Sequence, residues 1–374
     1  MEAIRLGLLV DSDAYGGAEV YVRQLLCRLP AEFETHLVVA EPVAPWFDDL
    51  AGQWTTCTRI PLLRGRESAP ELLRPLARVG ADVWHVNLVD PASNRAALAA
   101  ACVAAPTVAT LHMPGRVTDG LGCPDGPYAR VGAVMAVSAQ IAELLRRRLG
   151  MPLERVVRVR NGVDLPPRAG RPALSAGVRP RVGAVGRLTG QKGFDVLIAA
   201  VALLVRRGHA VEAVVAGEGR DRITLEAAAA GLPVRFTGFV ADVPAFLEGL
   251  DVFCLPSREE GLPLALLEAM AHALPCVATR VGDIPEVVGD AVVTVPPEDP
   301  VALADALEPL ITDPGRRRRL GERARVTALR RFDAVDMVET VAGLLRVITT
   351  ASAAEDGQLS SSRTSLRTTS MDSS

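Results

Sequence analysis

The chain is almost without lysine: of 41 lysines and arginines in 374 residues, Lys192 is the only lysine. Arginine has replaced it everywhere else, so a retained ammonium suggests a position that needs a compact charge rather than a planar fork. A formal net charge of −3 gives no general attraction to nucleic acid or to an anionic surface. The six cysteines (Cys27, Cys57, Cys102, Cys123, Cys254, Cys276) have no short paired spacing, which argues against a zinc site and for reduced thiols in the cytoplasm. No apolar run reaches the ~18 residues of a spanning helix, so any membrane contact is expected to be peripheral, at the inner face. No signal peptide is expected, because IRLGLLV is short and Asp11 ends it. Tandem repeats are absent.

What is present is apolar content, 49% of residues, in a chain long enough for two domains. Buried strands alternate with helical segments from Ile4 to Val10 through 35–40, 58–63, 82–87, 107–112 and 133–138, and 156–164 closes this half. A Pro/Gly/Arg-rich stretch follows. The rhythm restarts at 181–187 and runs through 211–217, 234–240, 251–257, 276–281 and 291–297, with helices at about 301–313, 315–331 and 334–348. Alternation of this kind predicts two Rossmann-like, doubly wound parallel-sheet α/β domains facing across a cleft. The expected bounds are 1–165, a linker at 166–180, 181–332, a final helix at 333–349, and a Ser/Thr-rich tail at 350–374 with too little to bury for order.

The chain is organised around DVFCLPSREEGLPLALLEAMAHALPCVATRVGDIPEVV, residues 251–288. It reads as a strand, a polar turn with Arg258, Glu259, Glu260 and Gly261, an apolar helix from about Leu262, and a second strand. Open α/β sheets bind ligands beyond the carboxyl ends of their strands. Pro263 suits the first helical turn, and the N–H groups after it form an anion site. Glu260 and Glu268 must then hold something other than the anion, and carboxylates accept well from hydroxyls. Eight helical residues span ~12 Å, so the two reach separate hydroxylated groups on either side of a phosphate. Ribose, diphosphate and sugar have that shape. Each glutamate alone could be a solvated surface charge, but Glu268 lies in LALLEAMAHAL, where an unpaired charge is expensive.

Other motifs add to this site. Arg187 and Lys192 follow a strand in VGRLTGQKGF and would neutralise a leaving diphosphate. Gly217 and Gly219 in VVAGEGRDR lack the third glycine of a dinucleotide fingerprint, so they speak weakly for NAD and better for a tight turn beside a base. Gly16 and Gly17 permit close backbone approach ahead of a helix. Asp11-Ser12-Asp13 has the spacing of a metal-holding acid pair but sits where it would shape the turn, and no metal is expected. His112 ends an apolar strand, where a neutral imidazole could reach a sugar hydroxyl or a phosphate; His85 is placed similarly. Arg146 to Arg148 and Arg316 to Arg319 read as solvated helix faces, the first cluster alternatively as an anionic-membrane patch.

In combination these stretches resemble the retaining glycosyltransferases of the two-Rossmann-domain type, GT-B, family 4. That family includes bacterial-type glycogen synthases, sucrose synthases and mannosyltransferases acting on phosphatidylinositol. The resemblance covers roughly residues 4 to 348. It rests most specifically on Glu260-Gly261-Leu262-Pro263 with Glu268-Ala269-Met270-Ala271, supported by Gly16-Gly17-Ala18-Glu19, Asn161-Gly162-Val163-Asp164, Gly186-Arg187-Leu188 with Lys192-Gly193, and Gly282 to Glu286. It implies that Arg187 and Lys192 bind the donor diphosphate and that Gly17 packs on it from the other domain. Glu260 would hold the transferred sugar, Glu268 the ribose, and His112 a sugar hydroxyl near the reacting carbon. Met113 after His112, and Asp283 where the family often has glycine, are departures.

The resemblance implies transfer of a hexosyl unit from a UDP-sugar or GDP-mannose to an acceptor hydroxyl, with retention and without cofactor or metal. The final helix would cross back to the first domain. The acceptor, a glycan, a lipid-linked sugar or a small molecule, would be met by the first domain's loops, especially Pro114 to Pro127. Cell-envelope glycan or glycolipid synthesis is the expected setting, with secondary metabolism as the alternative. A nucleotide-sugar epimerase, a glycosyl phosphorylase or a silent sugar-nucleotide-binding protein are competing readings; an NAD oxidoreductase is the weakest.

Overall fold

The computed structural model describes residues 3–115, 117–167 and 179–368, with side chains through Ala351. The chain divides into two compact units. One draws on Met1–Val137, Ile141–Val159 and the chain from Val338, the other on Ser138–Gln140 and Arg160–Met337.

The first unit holds seven strands among the described residues: β1 Ile4–Val10, β2 Phe33–Ala40, β3 Thr56–Ile60, β4 Val83–Leu88, β5 Thr107–Leu111, β6 Ala133–Ala136 and β7 Val156–Arg158. They lie in the order β3-β2-β1-β4-β5-β6-β7, every pairing parallel. Parallel sheets are covered on both faces, which is why β4 and β5 are buried at every position. Between them run α1 Gly17–Arg28, α2 Leu73–Val79, α3 Arg95–Ala104 and α4 Ala139–Arg147. Gly7 on β1 has no Cβ because the Trp84 indole fills that space.

The second unit repeats the plan with β8 Arg181–Val185, β9 Glu212–Ala216, β10 Val234–Gly238, β11 Val252–Leu255, β12 Cys276–Thr279 and β13 Val293–Val295, ordered β10-β9-β8-β11-β12-β13 and again parallel. Its helices are α5 Phe194–Arg206, α6 Arg222–Ala228, α7 Val243–Glu248, α8 Leu264–Ala271, α9 Ile284–Val288, α10 Pro300–Thr312 and α11 Pro314–Arg331, and α12 Ala334–Thr368 follows. Leu197, Val201 and Leu204 of α5 and Leu303, Leu307 and Leu310 of α10 join Val182, Val215, Val252 and Val277 in one core. The strand order reverses between β8 and β11, which brings the loops after these two strands to the place where such sheets hold ligands.

Several sequence expectations need correction. Pro263 is the residue before α8, extended at φ −76° and ψ 119°, so the helix starts at Leu264 rather than Leu262. Asn161 to Asp164 do not extend β7; Val163 bridges to Asp333 and groups with the second unit. The helix from Ala334 runs to Thr368 instead of giving way to a tail at 350. Ala, Glu, Gln and Leu in ASAAEDGQL are good helix formers, which a reading by Ser/Thr content undervalues. Residues 369–374, most of the expected linker, and Arg116 of the acceptor-side loop lie outside the described residues. From Val338 the last helix belongs to the first unit, where Arg346 pairs with Glu32 at 2.5 Å and lies over the Phe33 ring. No described helix is long and apolar enough to cross a membrane.

Candidate functional site

In the second unit the loops after β8 and β11 are tied together by backbone and side-chain hydrogen bonds. The Arg258 N–H donates to the Gln191 carbonyl at 2.7 Å, the Arg258 guanidinium to the Gly190 carbonyl at 2.6 Å, and Gln191 Nε2 to the Glu259 carbonyl at 3.0 Å. The same guanidinium forks onto Asp195 at 2.8 and 2.7 Å, which raises the affinity of Arg258 for its proton and holds the Asp195 carboxyl low. Arg258 is thus a clamp between two loops. Gly193, at φ +65°, lets the first loop press on the Pro256 carbonyl, where any side chain would collide.

The clamp brings Lys192 to Glu260. Lys192 Nζ donates to Glu260 Oε1 at 2.7 Å, and Ser257 Oγ donates to the same oxygen at 2.7 Å. Glu260 is 3% exposed and the lysine side chain 19%. A carboxylate so enclosed needs a nearby cation, and losing the partner of a buried charge costs about 3–5 kcal/mol. Glu260 Oε2 has no hydrogen bond among the described residues and is not one of the enclosed unpartnered atoms, so it remains open to a ligand. Arg187, half-buried on the same loop, makes no ion pair among the described residues. The sequence reading assigns Lys192 and Glu260 to different ligand groups; in the structure they neutralise each other. Ser257 was missed, although a hydroxyl three residues before a buried glutamate was a legible signal.

Gly261, Leu262 and Pro263 continue from Glu260 into α8. No side chain among the described residues caps this helix, and the N–H groups of Leu266 and Leu267 return to the Pro263 carbonyl, so those of Leu264 and Ala265 precede the first helical bond. Asn161 Nδ2 donates to the Leu262 carbonyl at 2.6 Å, and its Oδ1 is enclosed without a partner among the described residues. Gly217, at φ +143°, lies against the Gly186 carbonyl beside Arg187, leaving no room for a Cβ. Glu268 is half-buried on a helix whose other residues are almost all buried. Burial, with the Asp164 carboxylate nearby, pushes its carboxyl up to about 7. Asp283 turns its carboxylate onto the N–H groups of Ala139 and Gln140, at 2.7 and 3.4 Å, within the same unit.

Gly16, Gly17 and His112 lie in the first unit. Gly16 is extended at φ −168°, and its carbonyl accepts from Glu19 and Val20 at the start of α1. His112 Nε2 is 2.7 Å from Asn87 Oδ1, and Asn87 Nδ2 donates to the Ala18 carbonyl at 3.1 Å, so one asparagine joins the glycine turn to the histidine. Beneath them Thr110 Oγ1 meets Tyr21 Oη at 3.0 Å and His85 Nε2 at 2.8 Å. Burial holds His85 down to about 3; burial and then the nearness of His85 hold His112 down to about 3. Both rings are neutral near pH 7.

The remaining motifs are accounted for locally. Asp11 is buried and accepts from the Leu63 N–H at 2.8 Å, while the exposed Asp13 pairs with Arg64, so the two carboxylates serve different partners. Arg146 to Arg148 are exposed, and Arg147 pairs with Glu143. Arg317 departs from the expected solvated face: it is buried and donates to the Leu310 and Ile311 carbonyls at 2.7 and 3.2 Å. The last carbonyls of α10 lack helical partners and attract a cation.

Comparison with known proteins was made on sequence and on fold. The model for glycosyl transferases group 1 matches residues 179–313, and that for glycosyltransferase family 4 matches residues 15–166. An alpha-D-kanosaminyltransferase of Streptomyces kanamyceticus is 32% identical over 236 residues, 59% of this chain and 61% of the relative. A GDP-mannose-dependent alpha-(1-6)-phosphatidylinositol dimannoside mannosyltransferase of Mycobacterium tuberculosis is 36% identical over 143 residues, 37% of this chain and 38% of the relative. The matches thus span 38% to 61% of these relatives' lengths. Among solved structures, Anabaena HepE in complex with UDP and glucose superposes with a TM-score of 0.74 at 20% identity, over 92% of this chain and 99% of that one, a likeness of fold.

Proposed function

This chain belongs to the group 1, family 4 glycosyltransferases, with two α/β units of the GT-B fold, and we propose that it moves a hexosyl unit from a nucleoside-diphosphate sugar to an acceptor hydroxyl with retention of anomeric configuration. The observation that carries the reading is the cluster of Lys192, Ser257 and Glu260 at the strand ends, with Arg187 beside it and the uncapped start of α8 next in sequence. A nucleotide sugar brings an anion for Lys192 and Arg187 and hydroxyls for Glu260 Oε2 and Glu268. In the transfer, the acceptor oxygen bonds the anomeric carbon on the face from which the phosphate oxygen departs. That phosphate oxygen takes the acceptor's proton, and the nucleoside diphosphate leaves. Arg187 and Lys192 stabilise the charge that develops on it, a contribution of ~3–4 kcal/mol per contact. This route calls on no protein base and no protein nucleophile.

The setting we propose is a cell-envelope glycan or glycolipid, for which the mannosyltransferase relative is the model. The kanosaminyltransferase relative, matched over the longer stretch, favours a second reading in which the acceptor is a small secondary metabolite. A thermal-shift panel of UDP-, GDP-, ADP- and dTDP-sugars, with NAD and NADP as controls, tests the donor site. Saturation at a hundred times the dissociation constant adds ~2.7 kcal/mol of stability. A shift with one nucleotide sugar, followed by labelled transfer to an added acceptor, supports the reading. A shift with NAD alone, or conversion of the donor without any acceptor, overturns it.

A further inference from the structure

Asn87 is, with His85, one of two polar residues in the buried strand VWHVNL, and is 1% exposed. Both ends of its amide are engaged, and one of them settles the other. The Ala18 carbonyl can only accept, so the amide must direct Nδ2 at it, at 3.1 Å. Oδ1, which also can only accept, is then left facing His112 Nε2 at 2.7 Å. Nε2 must therefore carry a hydrogen. The ring is neutral, as burial dictates, so its single proton is spent on Nε2 and Nδ1 keeps its lone pair. Nδ1 makes no hydrogen bond among the described residues and is not one of the enclosed unpartnered atoms. The Tyr21 ring stands edge-on to the imidazole, with centroids 4.9 Å apart at 71°, and fixes its plane.

We propose that Asn87 is a positioning residue: anchored on the Ala18 carbonyl, it locks His112 in the Nε2–H tautomer, so that His112 offers an acceptor nitrogen to a hydroxyl and none of the donors a phosphate would need. This rests on His112 belonging to the transfer site. It resolves a choice that the sequence leaves open, hydroxyl or phosphate, and it ties the tautomer to the glycine turn, because Ala18 follows Gly16 and Gly17 at the start of α1.

Nitrogen-15 NMR of the imidazoles tests the tautomer on the wild-type chain without any substitution. The five histidines are few enough to assign through His112→Gln. Nε2–H with unprotonated Nδ1 is expected; Nδ1–H overturns the proposal. Asn87→Leu removes the lock, so the ring should populate both tautomers and kcat/KM should fall about tenfold, the worth of one neutral hydrogen bond. Asn87→Asp still accepts from Nε2–H but adds a negative charge, which draws a proton onto Nδ1. Its activity should acquire a new acid limb and recover as pH rises, while Asn87→Leu stays low at every pH. A merely structural residue would give both variants the wild-type pH profile, and that outcome refutes the proposal. Loss of turnover in His112→Gln with a wild-type tautomer in Asn87→Leu sinks the role of Asn87 alone. Full turnover in His112→Gln removes His112 from the site, and the proposal with it.

Discussion

Replacing Glu268 by glutamine should make the second unit more stable above neutral pH and leave it nearly unchanged in acid. The carboxyl has an ordinary value of 4.5 and is raised to about 7 in the folded chain by burial and by Asp164. Between those values the unfolded chain has lost a proton that the folded chain keeps. The folded state thus binds more protons, and stability falls as pH rises through the window. At ~1.4 kcal/mol per pH unit, the loss complete at pH 8 is about 3 kcal/mol, as an upper figure. Glu268→Gln does not titrate, so its stability relative to wild type should be similar at pH 4.5 and greater by up to that amount at pH 8. Urea midpoints of the transition that contains the second unit, measured at both pH values, read this difference directly. A difference that does not change with pH refutes the raised carboxyl.

The same titration makes the proposed ribose contact testable. Hydroxyls donate to the ionised carboxylate, so donor binding should favour ionisation, release protons near pH 7 and tighten as pH rises through that region. A nucleotide sugar is the right probe, because its diphosphate is a diester and has no ionisation of its own near neutrality. Affinity of wild type should climb from pH 6 to pH 8, while Glu268→Gln should bind weakly and evenly across the range. An equal slope in both proteins would mean that the titrating group lies elsewhere.

Lys192→Ala and Glu260→Gln should each lower transfer at least ~100-fold. Lys192→Ala should also lose about 3 kcal/mol of stability, because Glu260 is left enclosed without its cation, and adding Glu260→Gln should restore most of it. Chemical denaturation of the three variants checks this, and additive losses would show that the two side chains do not depend on each other. Lys192→Arg should impair transfer, since a planar fork replaces a point charge bonded at 2.7 Å to one carboxylate oxygen; full activity there would make the solitary lysine an accident of composition. His85 and His112 are depressed from 6.5 to about 3, so the stability they contribute to the first unit is present above 6.5 and is lost as pH falls toward 3. At pH 5 the loss is about 2 kcal/mol for each ring. His85→Gln should flatten this dependence, and an unchanged acid slope in that variant would contradict the burial of the ring.

The two parallel-sheet units were legible because strands buried on both faces read as unbroken apolar runs, and DVFCLPS followed by an apolar helix could hardly be anything else. Glu268 stood out for a related reason, a charge in a segment with no polar face, and Lys192 stood out by scarcity. Pairings across the chain were not legible. Lys192 and Glu260 are 68 residues apart, and hydrophobic period says nothing about which two loops a third residue, Arg258, will clamp together. Asn87 carried a signal, a polar residue at a fully buried strand position, that period-based reading passes over. The pairing of Lys192 with Glu260 also bears on selectivity. The pair compensates itself, so an anion that draws the ammonium away leaves Glu260 Oε1 with the Ser257 hydroxyl alone. On the proposed function, an isolated phosphate would take the ammonium and give Glu260 nothing in return, whereas a diphosphate carrying a sugar would supply an anion to the lysine and a hydroxyl to Glu260 Oε2 in a single molecule. The proposed donor site would thereby favour the whole nucleotide sugar over its fragments.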